Sequence, residues 1–212
     1  MRENAQERLA SLLPALALAP PDPGAVVDPF ALFAPRPRAV WLEIGFGGGE
    51  HLAWQARRHP DVGLIGCEVF RNGVASLLGH LERDGSANVR IFAEDARLLL
   101  PALSEGCLER VFLLFPDPWP KKRHAERRFV GEANLDQLAR LMADGAELRV
   151  ASDDPTYQEW ALAQMAARPD FAALPADPRP DDWPATRYEA KALAQGRRPL
   201  LMRYRRRLRS QV

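Results

Sequence analysis

The chain has 212 residues, 47% of them hydrophobic, and its 29 Lys and Arg residues nearly balance 28 Asp and Glu residues. These numbers allow one globular domain with a sizeable core, and the net charge of +1 identifies no partner until it is mapped. The two cysteines form no C-x-x-C pair, which argues against a zinc ribbon or a redox motif. Charged residues interrupt the N-terminus, and no apolar run is long enough to span a bilayer, so we expect a cytoplasmic protein without a membrane partner.

The first 37 residues differ in composition from the rest. Residues 1–13 read as a short amphipathic helix with Leu9, Leu12 and Leu13 on one side, and residues 14–37 are rich in proline and alanine. Such an arm is ordered only if it packs on the domain. We therefore divide the chain into an N-terminal helix and arm, residues 1–37, and a main domain, residues 38–212.

The first core strand, residues 38–44, runs directly into a glycine loop at residues 45–49, and a helix is predicted over residues 50–58. Glycines such as Gly45 and Gly47 let the backbone approach a ligand closely. A dinucleotide fingerprint would need glycine where the chain has Glu50, and a carboxylate there opposes a pyrophosphate. The loop therefore favours a nucleoside-like ligand without phosphates.

Acidic residues follow the next two strands. Glu68 ends the strand at residues 62–67, at the interval typical of an acidic residue that binds ribose hydroxyls, and a helix is predicted over residues 72–83. Asp95 follows the strand at residues 88–93. Its carboxylate either caps the following helix or accepts a hydrogen bond from an exocyclic amine, and both roles are compatible.

The fourth strand, residues 107–115, ends in an unusual turn. Pro116 cannot extend the strand, and the turn carries Asp117 beside Trp119. A carboxylate at the carboxyl end of a buried strand is where open α/β sheets place their chemistry. A cluster of cations follows: Lys121, Lys122, Arg123, Arg127 and Arg128. The cluster indicates polyanion binding, and the alternative is a solvated basic helix start.

The last third continues the alternation of helices and strands. A helix is predicted over residues 132–143, closed by Asp144 and Gly145, then a strand over residues 146–151 and a helix over residues 156–167. A proline-rich loop at residues 168–186 leads to a short helix or strand ending at residue 194. In a final strand from residue 199, the apolar face contains Leu200, Met202, Tyr204 and Leu208, and the other face contains Arg203, Arg205, Arg207 and Arg209. The pattern predicts a mainly parallel α/β sheet.

Six motifs in this order resemble one family. They are E-I-G-F-G-G-G at residues 43–49, Glu68, E-D-A at 94–96, F-P-D-P-W-P-K-K-R-H at 115–124, A-S-D at 151–153 and T-R-Y-E at 186–189. Together they resemble the bacterial tRNA (guanine-N7-)-methyltransferases. The resemblance implies a Rossmann-like class I S-adenosylmethionine-dependent methyltransferase fold, with a mainly parallel seven-stranded sheet and helices on both faces. It also implies methyl transfer from S-adenosylmethionine to N7 of guanine 46 in the variable loop of tRNA.

The resemblance assigns roles to individual positions. It implies that the cofactor is bound at Glu43, Gly45, Gly47, Glu68, Asp95 and Asp117, with Asp117 also the catalytic position. It implies that the tRNA substrate is bound at Lys121, Asp153, Thr186, Arg187, Tyr188 and Glu189. The remaining cations, Lys122, Arg123, Arg127 and Arg128, are expected to contact RNA, and no metal is expected. Residues 1–37 lie outside the resemblance.

Other functions stay open at this point. One is an S-adenosylmethionine-dependent enzyme acting on another RNA or a small molecule, and another is a non-catalytic RNA-binding module. A metal-dependent hydrolase built on Asp117, Asp153 and Asp154 is disfavoured, because only His124 lies near them at ligand spacing. Trp119 and Tyr188 either stack on a base or only pack. The oligomeric state is not predicted.

Overall fold

A single seven-stranded sheet forms the centre of the protein in a computed structural model that describes residues 3–211. Its strands are β1 (Ala39–Ile44), β2 (Val62–Cys67), β3 (Val89–Phe92), β4 (Leu108–Leu114), β5 (Met142–Ser152), β6 (Phe171–Leu174) and β7 (Leu200–Arg206). The spatial order is β3-β2-β1-β4-β5-β7-β6. Strands β1 to β5 pair in parallel, and β7 runs antiparallel to both of its neighbours. The predicted mainly parallel seven-stranded sheet is confirmed.

Helices cover both faces of the sheet. They are α1 (Glu3–Ser11), α2 (Leu13–Leu16), α3 (Glu50–Arg58), α4 (Arg71–Asp84), α5 (Ala96–Leu99), α6 (Glu132–Leu141), α7 (Pro155–Ala166) and α8 (Arg187–Ala194). Successive side chains of β1 point to opposite faces, so Val40 and Leu42 pack with α5, α6 and α7, while Trp41 packs with α1, α3 and α4. Burial on both faces explains the continuous apolar strands of the sequence.

The N-terminal arm packs along one side of this sheet. Leu9 of α1 is buried against α4. Farther along, single parallel bridges join Ala17 to Ile91 of β3 and Val27 to Leu103. The arm therefore lies beside the edge strand β3 and satisfies part of its backbone. Of the helix predicted over residues 1–13, the structure has α1, which ends at Ser11, and Leu13 begins the separate helix α2. Residues 1 and 2 lie outside the described part.

The predicted boundaries were wrong in two places. Strand β6 lies inside the segment predicted to be a loop, because the short apolar run after Asp170 pairs with β7. Helix α6 ends at Leu141, and Asp144 and Gly145 belong to β5. There β4 and β5 have an irregular register, which accommodates the positive φ of Gly145, +83°.

The C-terminal strand was also predicted incorrectly in part. Strand β7 ends at Arg206, so Leu208 does not share its apolar face and is exposed. Arg206 is buried on that face instead, where its guanidinium donates to the carbonyl of Ala139 at 2.9 Å. Of the arginines beyond β7, Arg209 pairs with Asp144 at 2.5 Å. Arg206 and Arg209 therefore stabilise the fold.

Within residues 3–211, none of the helices combines the length and the apolar character that a membrane crossing requires.

Candidate functional site

The glycine loop turns sharply between β1 and α3. Gly45, Gly47 and Gly49 have φ of 69°, 57° and 81°, in the left-handed region that residues with a Cβ rarely adopt. A Cβ on Gly47 would lie 2.7 Å from the hydroxyl oxygen of Tyr188. The loop therefore presents bare backbone beside Tyr188.

Glu68 holds this loop from the end of β2. Its side chain is buried, and its two carboxylate oxygens accept the backbone N–H groups of Gly47, at 2.8 Å, and Phe70, at 2.9 Å. Each carboxylate oxygen has a further lone pair, so Glu68 can still accept a hydrogen bond from a sugar hydroxyl. The predicted cofactor residue is thus also a structural support of the loop.

Glu43, at the end of β1, is only 2% exposed. His51 of α3 contacts it, with 2.7 Å between Nδ1 and the carboxylate oxygen Oε2. Glu43 and His51 line a narrow recess together with Gly45, Thr186 and Tyr188. Glu43 and Thr186, predicted as cofactor and substrate residues, therefore lie at one place.

A cavity of about 260 Å³ opens at the carboxyl ends of β1, β2 and β4. Its lining includes the predicted site residues Gly45, Gly47, Glu68, Asp117, Arg127 and Tyr188, together with Trp119. Asp117 is exposed at its mouth. Strand order explains the grouping, because the carboxyl ends of parallel strands meet at one edge of the sheet.

The turn that carries Asp117 is fixed by Arg128. This side chain is 5% exposed, its guanidinium donates to the carbonyls of Pro118 at 3.1 Å and Trp119 at 3.0 Å, and it packs over the ring of Trp160. The geometry gives Arg128 a role in shaping the turn. We therefore do not retain the predicted RNA contact of Arg128.

The other cations of the cluster are exposed. Residues Lys122–Arg127 form a 3-10 helix. Lys121, Lys122, Arg123 and Arg127 all reach solvent. The guanidinium of Arg127 lies 4.8 Å from the ring centroid of Trp119, so one face of the indole already has a cation against it.

Asp95 follows β3 and begins the next helix. It caps α5, because its carboxylate accepts the backbone N–H of Arg97 at 2.9 Å. The capping alternative is therefore confirmed, whereas contact with an exocyclic amine stays a prediction. The described residues that line the cavity do not include Asp95.

The predicted substrate segment surrounds the start of α8. Thr186 caps this helix through the backbone N–H of Glu189, and the ring of Tyr188 stacks on that of Phe115 with 6.3 Å between centroids.

Two residues of the predicted substrate segment form ion pairs: Arg187 with Glu50 at 3.3 Å and Glu189 with Arg179 at 2.7 Å. The other predicted substrate carboxylate, Asp153, is paired with Arg197 at 2.9 Å. Thr186 and Tyr188 alone of this segment line the recess.

The loop before α8 has an anchor that sequence reasoning missed. The carboxylate of Asp182 accepts from Arg149 at 2.7 Å and from Arg110 at 2.5 Å, and Trp183 is buried. Burial by itself raises the pKa of Asp182, but hydrogen bonds and charge from these arginines outweigh it and leave the pKa below its ordinary value. One feature of the sequence pointed to this anchor: Arg149 is a charged residue inside a core strand.

Comparisons with known proteins identify the fold and the family of this chain. The family model described as "Putative methyltransferase" matches residues 37–201. Among solved structures, an rRNA methylase from Streptococcus thermophilus superposes with a TM-score of 0.55, at 12% identity over 80% of this chain and 87% of its own. The 16S rRNA (adenine(1408)-N(1))-methyltransferase of Catenulisporales acidiphilia superposes with a TM-score of 0.53, at 16% identity over 86% and 93%. At these identities the likeness shows the fold alone.

Curated relatives are much more similar in sequence. The tRNA (guanine-N(7)-)-methyltransferase of Paramagnetospirillum magneticum is 56% identical over 99% of this chain and 90% of its own length. The protein of the same name from Rhodospirillum rubrum is 54% identical over 99% of this chain and 85% of its own length. With such identity along nearly its whole length, this chain belongs to the tRNA (guanine-N(7)-)-methyltransferase family.

Proposed function

We propose that the protein transfers a methyl group from S-adenosylmethionine to N7 of guanine 46 in the variable loop of tRNA. One observation carries the proposal: a single cavity joins the glycine loop and Glu68 on its inner side to Asp117 and Trp119 at its mouth, with exposed cations beyond. Its inner side suits a cationic nucleoside, and its rim suits a polyanion. A tRNA substrate also agrees with the cytoplasmic location expected from the sequence.

The residues present fit the implied cofactor. The inner lining offers carboxylate acceptors and backbone groups, and an acidic Glu50 begins α3 where a phosphate-binding loop would favour neutral or cationic groups. We assign Glu68 to the ribose hydroxyls, Gly45 and Gly47 to the close backbone approach, and Glu43 to the cationic end of the ligand. When bound, S-adenosylmethionine supplies a methyl group attached to a positively charged sulfur.

The rim fits RNA better than a small molecule. Lys121, Lys122, Arg123 and Arg127 are exposed together next to the cavity, and phosphate contacts supply most of the affinity for nucleic acid. In an A-form helix the N7 edge lies in a deep, narrow groove, so the target guanine must be in a loop or splayed out. We assign Trp119 and Tyr188, which both line the cavity, to stacking on such a base.

The chemistry assigned to Asp117 is electrostatic. Guanine N7 has a free lone pair, so no proton has to be removed before it accepts the methyl group. Positive charge develops on the guanine ring as the new bond forms. A fixed carboxylate at the mouth of the cavity interacts more strongly with that charged state than with neutral guanine, and so it lowers the barrier.

A labelling experiment tests the proposal. The protein is incubated with methyl-labelled S-adenosylmethionine and unmodified tRNA, and the labelled nucleotide is mapped. Label is expected on guanine 46. The matched control is the same tRNA with 7-deazaguanine at position 46, which lacks the acceptor nitrogen and should stay unlabelled. Label on another nucleotide, or equal label in the control, would contradict the proposal.

A further inference from the structure

A buried chain of hydrogen bonds runs from Glu43 to the loop before α8. Nδ1 of His51 lies 2.7 Å from Oε2 of Glu43, and Nε2 of His51 lies 3.1 Å from Nε2 of Gln55. That same amide nitrogen of Gln55 lies 2.8 Å from the backbone carbonyl oxygen of Asp182, 127 residues away. Glu43, His51 and Gln55 are 2%, 5% and 0% exposed, so solvent does not substitute for any of these contacts.

The chain determines which imidazole nitrogen carries the proton. A carbonyl oxygen only accepts, so the amide of Gln55 must direct its NH₂ group towards Asp182. The second hydrogen of this NH₂ group then points at Nε2 of His51, which must therefore be the acceptor. The imidazole proton is left on Nδ1, where it donates to Glu43. The opposite amide orientation would bring Oε1 of Gln55 against the carbonyl oxygen of Asp182.

This tautomer has a consequence for charge. A proton on Nδ1 alone leaves the imidazole neutral, so the negative charge of Glu43 is not cancelled by its partner. A doubly protonated ring would place an N–H of His51 against the NH₂ group of Gln55. The ring of His51 is also held edge-on to Phe112 at 4.7 Å, which restricts its rotation.

We propose that His51 is a positioning residue, which Gln55 holds in the Nδ1–H tautomer so that it fixes the Glu43 carboxylate, with its charge intact, in the narrow recess that adjoins the cofactor cavity at Gly45 and Tyr188. The proposal rests on the proposed function for the identity of the ligand. It requires a cationic ligand in that recess, because only such a ligand benefits from a buried carboxylate whose charge is preserved.

The same chain ties the recess to the substrate segment. The backbone carbonyl of Asp182 also accepts from Nη1 of Arg149 at 3.0 Å. Gln55 therefore has its hydrogen bond to this carbonyl only when the loop before α8 is packed in place. Thr186 and Tyr188 follow this anchor and line the recess with Glu43 and His51. The docked loop therefore completes the hydrogen bonding that orients Glu43.

Nuclear magnetic resonance of the wild-type protein tests the tautomer directly. The chain has 4 histidines, so the ¹⁵N signals of the imidazole of His51 can be assigned by single substitution. The Nδ1–H tautomer is expected for His51. In Gln55→Glu the donor becomes an acceptor, and a proton is expected to appear on Nε2 of His51. A wild-type His51 carrying its proton on Nε2 would overturn the proposal, even if no variant folded.

Binding measurements test the consequence. Calorimetric titration with S-adenosylmethionine is expected to show affinity at least about tenfold weaker for His51→Phe, because a hydrogen bond to a buried carboxylate is lost. His51→Asn keeps an N–H near the position of Nδ1–H, and its affinity is expected to stay within about threefold of wild type. His80→Phe, on the outer side of α4, is the control and should bind as the wild type does.

A purely structural role for His51 predicts a different pattern, in which both variants lose affinity in proportion to their lost thermal stability. Equal weakening of the two variants, or wild-type affinity in His51→Phe, would overturn the proposal. These outcomes are separable from the proposed function. A protein that bound S-adenosylmethionine but labelled no guanine would disprove the reaction, whereas the tautomer and the binding differences would stand.

Discussion

Asp117 is the residue on which the proposed chemistry depends most. It lies in a turn between Pro116 and Pro118, with the backbone carbonyls of that turn held by the buried Arg128. A carboxylate on a rigid turn needs little reorganisation when charge develops beside it, which is the condition for a large electrostatic effect. The two prolines and the buried Arg128 therefore both hold Asp117 in a fixed position.

Asp117→Asn should lower the single-turnover rate of methyl transfer by about two orders of magnitude, because each tenfold corresponds to 1.36 kcal/mol and a preorganised charge contributes about 3 kcal/mol. Rapid-quench measurement with labelled S-adenosylmethionine and tRNA checks this. The exposed Asp22→Asn in the arm is the control, with no change expected.

The pH dependence separates this role from that of a base. Since N7 has no proton to lose, the wild-type rate at saturating substrates should stay level from about pH 6 to pH 8. A rate that rises tenfold per pH unit in this range, and that loses the rise in Asp117→Asn, would show proton removal and refute the electrostatic role.

At the residue scale, strand ends were the predictable part of the site. Glu43 lies at the end of a core strand that the apolar pattern identifies, Glu68 and Asp117 follow two others, and parallel strands bring their carboxyl ends together. Gln55 could not be found in this way, because its partner Asp182 is distant in sequence, and His51 is oriented by Gln55. A hydrogen bond across that separation exists only after the sheet has formed.

At the scale of elements, α4 approaches the glycine loop so closely that only glycine fits at one position. A Cβ on Gly73 would lie 2.3 Å from the carbonyl oxygen of Gly47, whereas a Cβ on Gly79 of the same helix would meet only the flexible end of Arg8 at 2.9 Å. The two positions therefore form a matched pair for testing whether α4 shapes the cofactor cavity.

Gly73→Ala should weaken S-adenosylmethionine binding roughly tenfold, equivalent to 1.4 kcal/mol, because the glycine loop has to shift. Gly79→Ala should leave binding unchanged and raise the free energy of unfolding by up to about 1 kcal/mol, since alanine favours a helix over glycine. Calorimetric titration and urea unfolding give the two quantities. If Gly79→Ala lost as much affinity as Gly73→Ala, the close approach of α4 to the glycine loop would not be the cause of the loss.

The pairing of β5 with β7 brings two arginines together. Arg149 lies directly opposite Arg203, and like charges in such a pair repel. One carboxylate oxygen of Glu147 accepts from both, at 2.7 Å and 2.8 Å. Burial raises the pKa of Glu147, but the hydrogen bonds from these arginines outweigh it and leave the pKa below its ordinary value.

Glu147→Gln should therefore lower the free energy of unfolding by about 2 kcal/mol at pH 7. A lowered native pKa stabilises the fold above the pKa of the unfolded chain, about 4.3, and this stabilisation disappears as pH falls below it. Urea unfolding should show the difference from wild type narrowing from about pH 5 to pH 3. The exposed Glu159→Gln is the control, and a gap independent of pH would contradict the charge effect.

Most elements were predictable from hydrophobic period, and the exceptions have physical reasons. Strand β6 has four residues in a proline-rich segment, and it exists because β7 offers an antiparallel edge. The helix signal before Asp144 continued past Leu141, but pairing of Met142 with Leu108 converts that segment into strand. In both cases tertiary pairing overrides the local pattern.

At the scale of the whole molecule, the basic residues divide into structural and free groups. Arg203, Arg206 and Arg209 near the C-terminus form ion pairs or donate to carbonyls, whereas Lys122 and Arg123 beside the cavity reach solvent. Charge alone would have given the arginines at residues 203–209 and the cations at residues 121–128 equal weight as RNA-binding surfaces. The structure favours the cluster beside the cavity.

Lys122→Ala combined with Arg123→Ala should flatten the slope of log affinity for tRNA against log salt by about 1.4–1.8, since each phosphate contact contributes roughly 0.7–0.9. Affinity for S-adenosylmethionine should not change. Arg205→Ala combined with Arg207→Ala, which removes two exposed arginines of residues 203–209, is the control. If the control flattened the slope equally, the cluster beside the cavity would have no special role.

The N-terminal arm depends for its packing on segments that come later in the chain. Its bridges from Ala17 and Val27 end at Ile91 and Leu103, and Phe33 packs on Gly63, so every docking partner follows it in the chain. During synthesis the arm emerges before these partners and cannot pack until they exist, and contacts between distant segments form slowly. Contacts made after the folding barrier slow unfolding without speeding folding. We therefore expect the arm to pack last, on a sheet that the later residues form first.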